Sequence, residues 1–135
     1  MKNLSMFRSG LAVMVTGLLL SLPFSVFSQQ VIDIQVSPNT LNLQNQGEWV
    51  TVHTDIVYSL VVSCEVTLNG VPIEWSKADN QGNFVAKFVI GAIVGLPDLV
   101  IGGYNTLTLQ GVTTDGEQFE GSDEVMVINV IPKKK

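Results

Sequence analysis

The sequence predicts an all-β domain in which two antiparallel sheets pack face to face as a sandwich. Short runs alternate apolar and polar residues, turn residues separate these runs at nearly regular spacing, and no stretch has the helical period. Seven to eight short strands with such turns are typical of a β-sandwich. A small closed barrel is the alternative arrangement.

Residues 1–28 have the composition of a secretory signal peptide. Lys2 and Arg8 give a positive start, residues 11–27 are largely apolar, and Ser28 provides a small residue before the cleavage point. An uncleaved membrane anchor is the alternative, because the apolar stretch is long for a signal core. Cleavage would leave residues 29–135 as a single domain without a membrane span, located in the periplasm, at the cell surface or outside the cell.

The first strands are predicted from alternation. Residues 31–36 ("VIDIQV") and 40–43 ("TLNL") form short strands, and residues 48–56 ("EWVTVHTDI") form a longer one. In the longer strand the predicted inward set is Val50, Val52 and Ile56, and the predicted outward set is Trp49, Thr51, His53 and Asp55. Trp49 is therefore expected at the surface.

The middle of the chain continues the same pattern in "CEVTLNG", "VPIEW" and "NFVAKFVI". We expect Cys64 to be a small buried residue, since it lies in an apolar run and has no cysteine partner. Residues 91–103 form a glycine-punctuated connection that is apolar enough to cover one end of the core. Pro97 limits any helix there to a short turn.

The last two strands are predicted to form a hairpin around Asp115-Gly116, the strongest short-range hairpin signal, with positive φ at both residues. Gly121 is predicted to mark a β-bulge, because the apolar phase changes after it.

The patterns "IDI", "TLNL" and "WVTV" near the start and "LTLQGVTTDGEQFEGSDEVMVI" near the end also resemble an immunoglobulin-like domain of bacterial secreted and cell-surface proteins. The resemblance spans residues 31–131 and implies an immunoglobulin-like β-sandwich module of extracellular proteins, and it supplies no catalytic residues to carry over.

Charge and residue counts disfavour several functions. Residues 29–135 carry five lysines and twelve acidic residues, a net charge of −7, which repels nucleic acid. One histidine and one cysteine cannot form a tetrahedral zinc site, and a dyad of Cys64 with His53 would lack an orienting third group. We therefore expect a protein that is not an enzyme, and keep a small hydrolase as a minor alternative.

The acidic end of the last hairpin is the candidate metal site. Asp115, Glu117 and Asp123, with Glu120 and Glu124 nearby, offer the carboxylate oxygens that Ca²⁺ prefers. Neighbouring side chains of a strand point to opposite faces, so the alternative is a solvated acidic hairpin. No other cofactor is predicted.

The outward face of residues 48–56 is the candidate binding site. Trp49, Thr51 and His53 share this face, and an outward tryptophan can stack on a sugar or anchor a protein partner. Alternatively, Trp49 caps the sandwich edge and Trp75 fills the core. The function we expect is an exported binding module of the bacterial envelope or exterior that recognises a protein or glycan. The alternative function is a structural domain of a surface assembly, acting through self-association.

Overall fold

The computed structural model describes residues 29–45, 47 and 49–131, so the predicted signal peptide lies outside the described residues. They form ten strands and one short helix. In chain order these are β1 (Gln29–Val31), β2 (Ile34–Ser37), β3 (Thr40–Asn42), β4 (Trp49–Val57), β5 (Thr67–Leu68), β6 (Val71–Pro72), β7 (Trp75–Ala78), β8 (Asn83–Val89), α1 (Ile90–Val94), β9 (Gly103–Val112) and β10 (Gln118–Ile128).

The strands form two sheets, which confirms the all-β sandwich. The large sheet has the order β1-β10-β9-β5-β6, and β3 pairs with β10 farther along the edge that β1 occupies. The small sheet has the order β2-β4-β8-β7. The prediction of a wholly antiparallel structure is wrong in one respect, because both β1 and β3 run parallel to β10.

The number of strands exceeds the predicted seven to eight because the chain twice changes sheet within two residues. At Ile32–Asp33, the first crossing, it leaves β1 in the large sheet and enters β2 in the small sheet. At Ile73–Glu74, the second crossing, it passes in the same direction from β6 to β7. Each crossing divides a run that reads as one strand in the sequence.

Apolar side chains from both sheets fill the space between them. Phe84 and Phe88 of β8 and Phe119 of β10 belong to this core, and all three are fully buried. Each such burial contributes about 1.5–3 kcal/mol relative to exposure. Helix α1 buries Ile90 and Ile93 in this core, and Leu96 and Leu99 of the connection after it are partly buried against the same core.

The β9–β10 hairpin is present as predicted, but its turn differs. The N–H of Thr113 donates to Glu117 and the N–H of Gly116 donates to Thr113, so three residues form the loop. Within this loop only Gly116 has a positive φ, of 86°, and Asp115 does not. The turn therefore has the three-residue geometry, in which glycine alone takes the left-handed conformation.

The bulge predicted at Gly121 is wrong, because β9 and β10 stay in continuous register from Gln118↔Val112 to Val127↔Gly103. Gly121 instead lies against the first crossing. A Cβ there would lie 2.6 Å from the backbone oxygen of Ile32 and 2.7 Å from Cγ2 of Ile34. Glycine is needed because β2 packs too closely for any side chain.

The predicted burial of Cys64 is also wrong, since its side chain is exposed. Ser63–Glu65 forms a turn of 3-10 helix with no buried residue, on the connection from β4 to β5. Strand β5 begins only at Thr67, so the alternation that favoured burial does not apply at Cys64.

Candidate functional site

The outer face of the small sheet carries both tryptophans of the sequence, and we call it the tryptophan face. The register of β4, β8 and β7 arranges its side chains in three rows across the sheet. The rows are Trp49 with Val89, then Thr51 with Lys87 and Trp75, then His53 with Val85 and Lys77. The three predicted residues Trp49, Thr51 and His53 thus share one face, joined by residues from two other strands.

Trp75 does not fill the core, so that alternative is wrong: the residue is 43% exposed. The second crossing explains this position. The N–H of Glu74 donates to the carbonyl of Lys87, and Trp75 is paired with the same Lys87 in the register. Glu74 and Trp75 thus both lie opposite Lys87, as in a β-bulge, and the regular alternation of side chains is interrupted there. Trp75 therefore faces outward, although strict alternation from the partly buried Ile73 would turn it inward.

The two indole rings form a corner above β8. Their centroids lie 6.2 Å apart with an angle of 88° between the ring planes, the edge-to-face arrangement that aromatic quadrupoles favour. Trp49 is 41% exposed, so both rings retain solvent-accessible surface. The Nζ of Lys87 lies 5.6 Å from the centroid of Trp75, within the range of a cation–π contact.

The third row extends the face with a histidine and a second lysine. His53 and Lys77 are exposed on either side of Val85, which is fully buried but does not belong to the central core. Asp79, at the end of β7, accepts hydrogen bonds from the backbone N–H groups of Asn83 and Gln81. These bonds, with a smaller contribution from nearby His53, hold the pKa of Asp79 below its ordinary value of 3.8.

The structure does not bring the three candidate calcium ligands together. Asp115 lies in the hairpin loop beside Glu117, whereas Asp123 lies well along β10 opposite Leu107, about 20 Å from Glu117 at the usual rise of a strand. Within residues 29–45, 47 and 49–131, no group of three histidine, cysteine, aspartate or glutamate side chains is placed to hold a metal ion.

Asp123 instead joins the two sheets. Its Oδ2 accepts a 2.8 Å hydrogen bond from the N–H of Val36 in β2, and its Oδ1 accepts one from the N–H of Glu124. An open groove of about 680 Å³ runs beside this contact, between β2 and β10, and His53 lies on its rim. The sequence offered no signal for this role, because it depends on a residue 87 positions away.

Cys64 and His53 lie on different parts of the fold. Cys64 is on the 3-10 turn beside β9 of the large sheet, and His53 is in the middle of β4.

In the part of the chain that the structure describes, no helix is long and apolar enough to cross a membrane. Comparisons with family models, with curated proteins and with solved structures gave no match, so function must be argued from the tryptophan face itself.

Lys87 and Trp75 complete a site that the sequence revealed only in part. The alternation of "NFVAKFVI" already placed Lys87 opposite the inward phenylalanines. The position of Lys87 beside Thr51 depends on the pairing of β4 with β8, and that of Trp75 depends on the second crossing. Neither pairing can be read from one sequence.

Proposed function

We propose that the protein is an exported binding module of the bacterial envelope or exterior, without enzymatic activity, that recognises a protein or glycan through the tryptophan face. The observation that carries this proposal is the exposed corner of Trp49 and Trp75 with Lys87 against it. Exposing two indoles costs hydrophobic free energy that burial would recover. Such a cost is expected where a ligand covers the rings.

The resemblance of residues 31–131 to an immunoglobulin-like domain of secreted bacterial proteins supports the same proposal, as does the signal-like composition of residues 1–28. The sandwich supplies a rigid support, since β4 and β8 pair along most of their length beneath the face. A binding site on a rigid sheet loses little conformational entropy when a ligand binds.

The test is capture from the native envelope fraction with protein recovered from cells that express the whole chain. Three versions serve as bait: the natural protein, Trp49→Ala, and Tyr104→Ala. Tyr104 is a matched control, because it is an aromatic residue that is 66% exposed on the outer face of the large sheet.

We expect one saturable partner that binds the natural protein and Tyr104→Ala, and binds Trp49→Ala at least about tenfold more weakly, a loss of about 1.4 kcal/mol. Thermal unfolding of each bait checks that the variants fold. Equal capture by all three baits would contradict the proposal.

Self-association in a surface assembly is the second candidate function, and strand β7 favours it. Within the described residues, β7 pairs only with β8, so its other edge is open. The bond from Asp79 N–H to Asn83 sets the alternation of the strand, which leaves the N–H groups of Ser76 and Ala78 at that open edge. A second copy could add a strand there.

Sedimentation velocity over a hundredfold range of concentration tests this candidate. Self-association through β7 would raise the sedimentation coefficient with concentration, and Ala78→Pro would abolish the rise by removing an edge donor at a site where proline is tolerated. A constant monomer value would eliminate this candidate.

A further inference from the structure

The edge strands of the sandwich differ in how well they are protected against pairing with another strand. At β2, the N–H of Val36 is occupied by the carboxylate of Asp123. Strand β6, at one edge of the large sheet, contains Pro72, which has no N–H to donate. Strand β7 has neither protection within the described residues, where it pairs only with β8. Another strand is therefore expected to join the small sheet at β7.

The main chain of β7 limits how two copies can pair there. The N–H of Asp79 donates to Asn83 of β8, which sets the alternation of the strand. Ser76 and Ala78 therefore direct their N–H groups to the open edge. A two-fold axis normal to the sheet makes two β7 strands antiparallel, with the same contacts in both directions. Two registers give both donors an acceptor: in one, Ser76 lies opposite Ser76, and in the other, Lys77 lies opposite Lys77.

The side chains distinguish these two registers. Lys77 opposite Lys77 would place like charges directly across the axis, which is destabilising. With Ser76 at the axis, Lys77 of each copy instead lies opposite Trp75 of the other, beside the exposed Glu74. The ammonium group can then contact an indole and a carboxylate together. Asp79, the other carboxylate near this edge, accepts hydrogen bonds within its own turn.

The register with Ser76 at the axis also covers exposed aromatic surface. Trp75 is 43% exposed in a single copy. Diagonal neighbours in an antiparallel pair lie about 7–8 Å apart, so the Trp75 rings of the two copies reach each other across the axis. This contact removes indole surface from water, which favours association.

We infer that two copies pair antiparallel through β7 about a two-fold axis at Ser76, so that Lys77 of each copy completes the surface around Trp75 of the other. The inference rests on self-association, the second candidate function, and specifies its interface. The two four-stranded sheets join into one continuous sheet, whose outer edges are both β2 and are protected by Asp123. Assembly through β7 therefore stops at a dimer. Both copies present Trp49 on the same side of that sheet, so a repetitive ligand can engage the two copies at once.

Sedimentation velocity on protein recovered from cells that express the whole chain measures the dimerisation Kd. We expect Lys77→Glu and Glu74→Lys each to raise this Kd about fivefold or more, because each places like charges together across the interface. Glu74→Lys lowers the net negative charge, so general repulsion between copies cannot explain its weaker dimer. The double variant keeps the natural net charge and restores an opposite pair, so its Kd should lie below that of either single variant. Thermal unfolding checks that all variants fold.

Cross-linking tests the register. In a Cys64→Ser background, which removes the exposed natural thiol, Ser76→Cys and Ala78→Cys are each treated with a short bis-maleimide. In the proposed register the Cα atoms of the two Ser76 residues lie about 5.5 Å apart. Those of the two Ala78 residues are displaced along the strands and lie about 14 Å apart. We expect Ser76→Cys to give a cross-linked dimer and Ala78→Cys to give at least about fivefold less of it.

Equal cross-linking of the two cysteine variants would overturn the inference, as would growth beyond a dimer or a double variant that associates no better than Lys77→Glu. If the protein still associates in that case, the second candidate function stands with another interface. A constant monomer value would overturn the inference together with that candidate. The proposed binding function is judged separately, by capture from the envelope fraction with the natural protein and the Trp49→Ala variant.

Discussion

At both crossings, Ile32–Asp33 and Ile73–Glu74, the chain passes from the large sheet to the small sheet, but different hydrogen bonds stabilise the two connections. At the first, two carboxylates bind the crossing strand: Asp55 accepts the N–H of Asp33, and Asp123 accepts the N–H of Val36. At the second, the hydrogen bonds are between main-chain groups: the N–H of Ile73 donates to Val66, and the N–H of Glu74 donates to Lys87.

The consequences for the two edges of the small sheet differ accordingly. The free edge of β2 is occupied at Val36 by a charged acceptor, which blocks addition of another strand. The edge of β7 is open within the described residues and displays Trp75. The first crossing thus leads into an edge strand that Asp123 blocks, whereas the second leads into an open edge strand that places Trp75 on the tryptophan face.

The largest expected effect on stability is at the first crossing, where Gly121 lies against the chain. We expect Gly121→Ala to lower the free energy of unfolding by about 2–3 kcal/mol, because the new methyl group would overlap the backbone oxygen of Ile32 and force β2 away. Urea denaturation measures the change. Gly91→Ala is the control, since its Cβ would meet nothing within 4 Å; equal stability of the two variants would refute the close approach at Gly121.

A smaller effect is expected at the carboxylate that joins the sheets. Asp123→Ala leaves the partly buried N–H of Val36 without its acceptor and should cost about 1–2 kcal/mol in urea denaturation. Asp123→Asn retains an acceptor oxygen and should recover most of this loss, whereas Glu124→Ala should change little. A calcium-dependent rise in stability that Asp123→Ala lacks would instead favour the metal hypothesis.

The smallest expected effect on stability is at Asp79, the residue that follows β7 at the open edge of the small sheet. Because hydrogen bonds from Asn83 and Gln81 lower its pKa in the folded state, Asp79 stabilises the fold above its ordinary pKa of 3.8. This contribution is lost as the pH falls through the folded-state pKa. The stability difference between the natural protein and Asp79→Ala should therefore be largest at pH 7 and should shrink as the pH falls through the folded-state pKa.

Urea denaturation from pH 7 to pH 2.5 measures that difference. Asp79→Asn, which cannot titrate, should show little of the pH dependence that separates the natural protein from Asp79→Ala. A difference that stays constant across the range would show that the ionised carboxylate is not what stabilises the turn.

Much of the fold could be predicted because it depends on local patterns. Alternation in residues 48–56 and 83–90 identified β4 and β8 with the correct inward side chains, and Asp115-Gly116 identified the last hairpin. These features follow from residues within one strand or one turn.

The wrong predictions at Trp75, Cys64 and Gly121 have a common physical cause. Alternation of apolar and polar residues shows which side chains point inward only within one continuous strand. Both crossings and the 3-10 turn at Ser63–Glu65 interrupt a strand, so the alternation does not carry across them. The need for glycine at position 121 comes from residues nearly ninety positions earlier. Long-range packing decides such positions, so one sequence cannot reveal them.

The pairing of Trp49 with Trp75 has an optical consequence. These are the two tryptophans of the whole sequence, so all indole fluorescence of the protein arises from one corner of its surface. A ligand that covers this corner displaces water from both rings and would shift their emission to shorter wavelength. The protein therefore carries an intrinsic reporter of occupancy at the tryptophan face, and titration needs no attached dye.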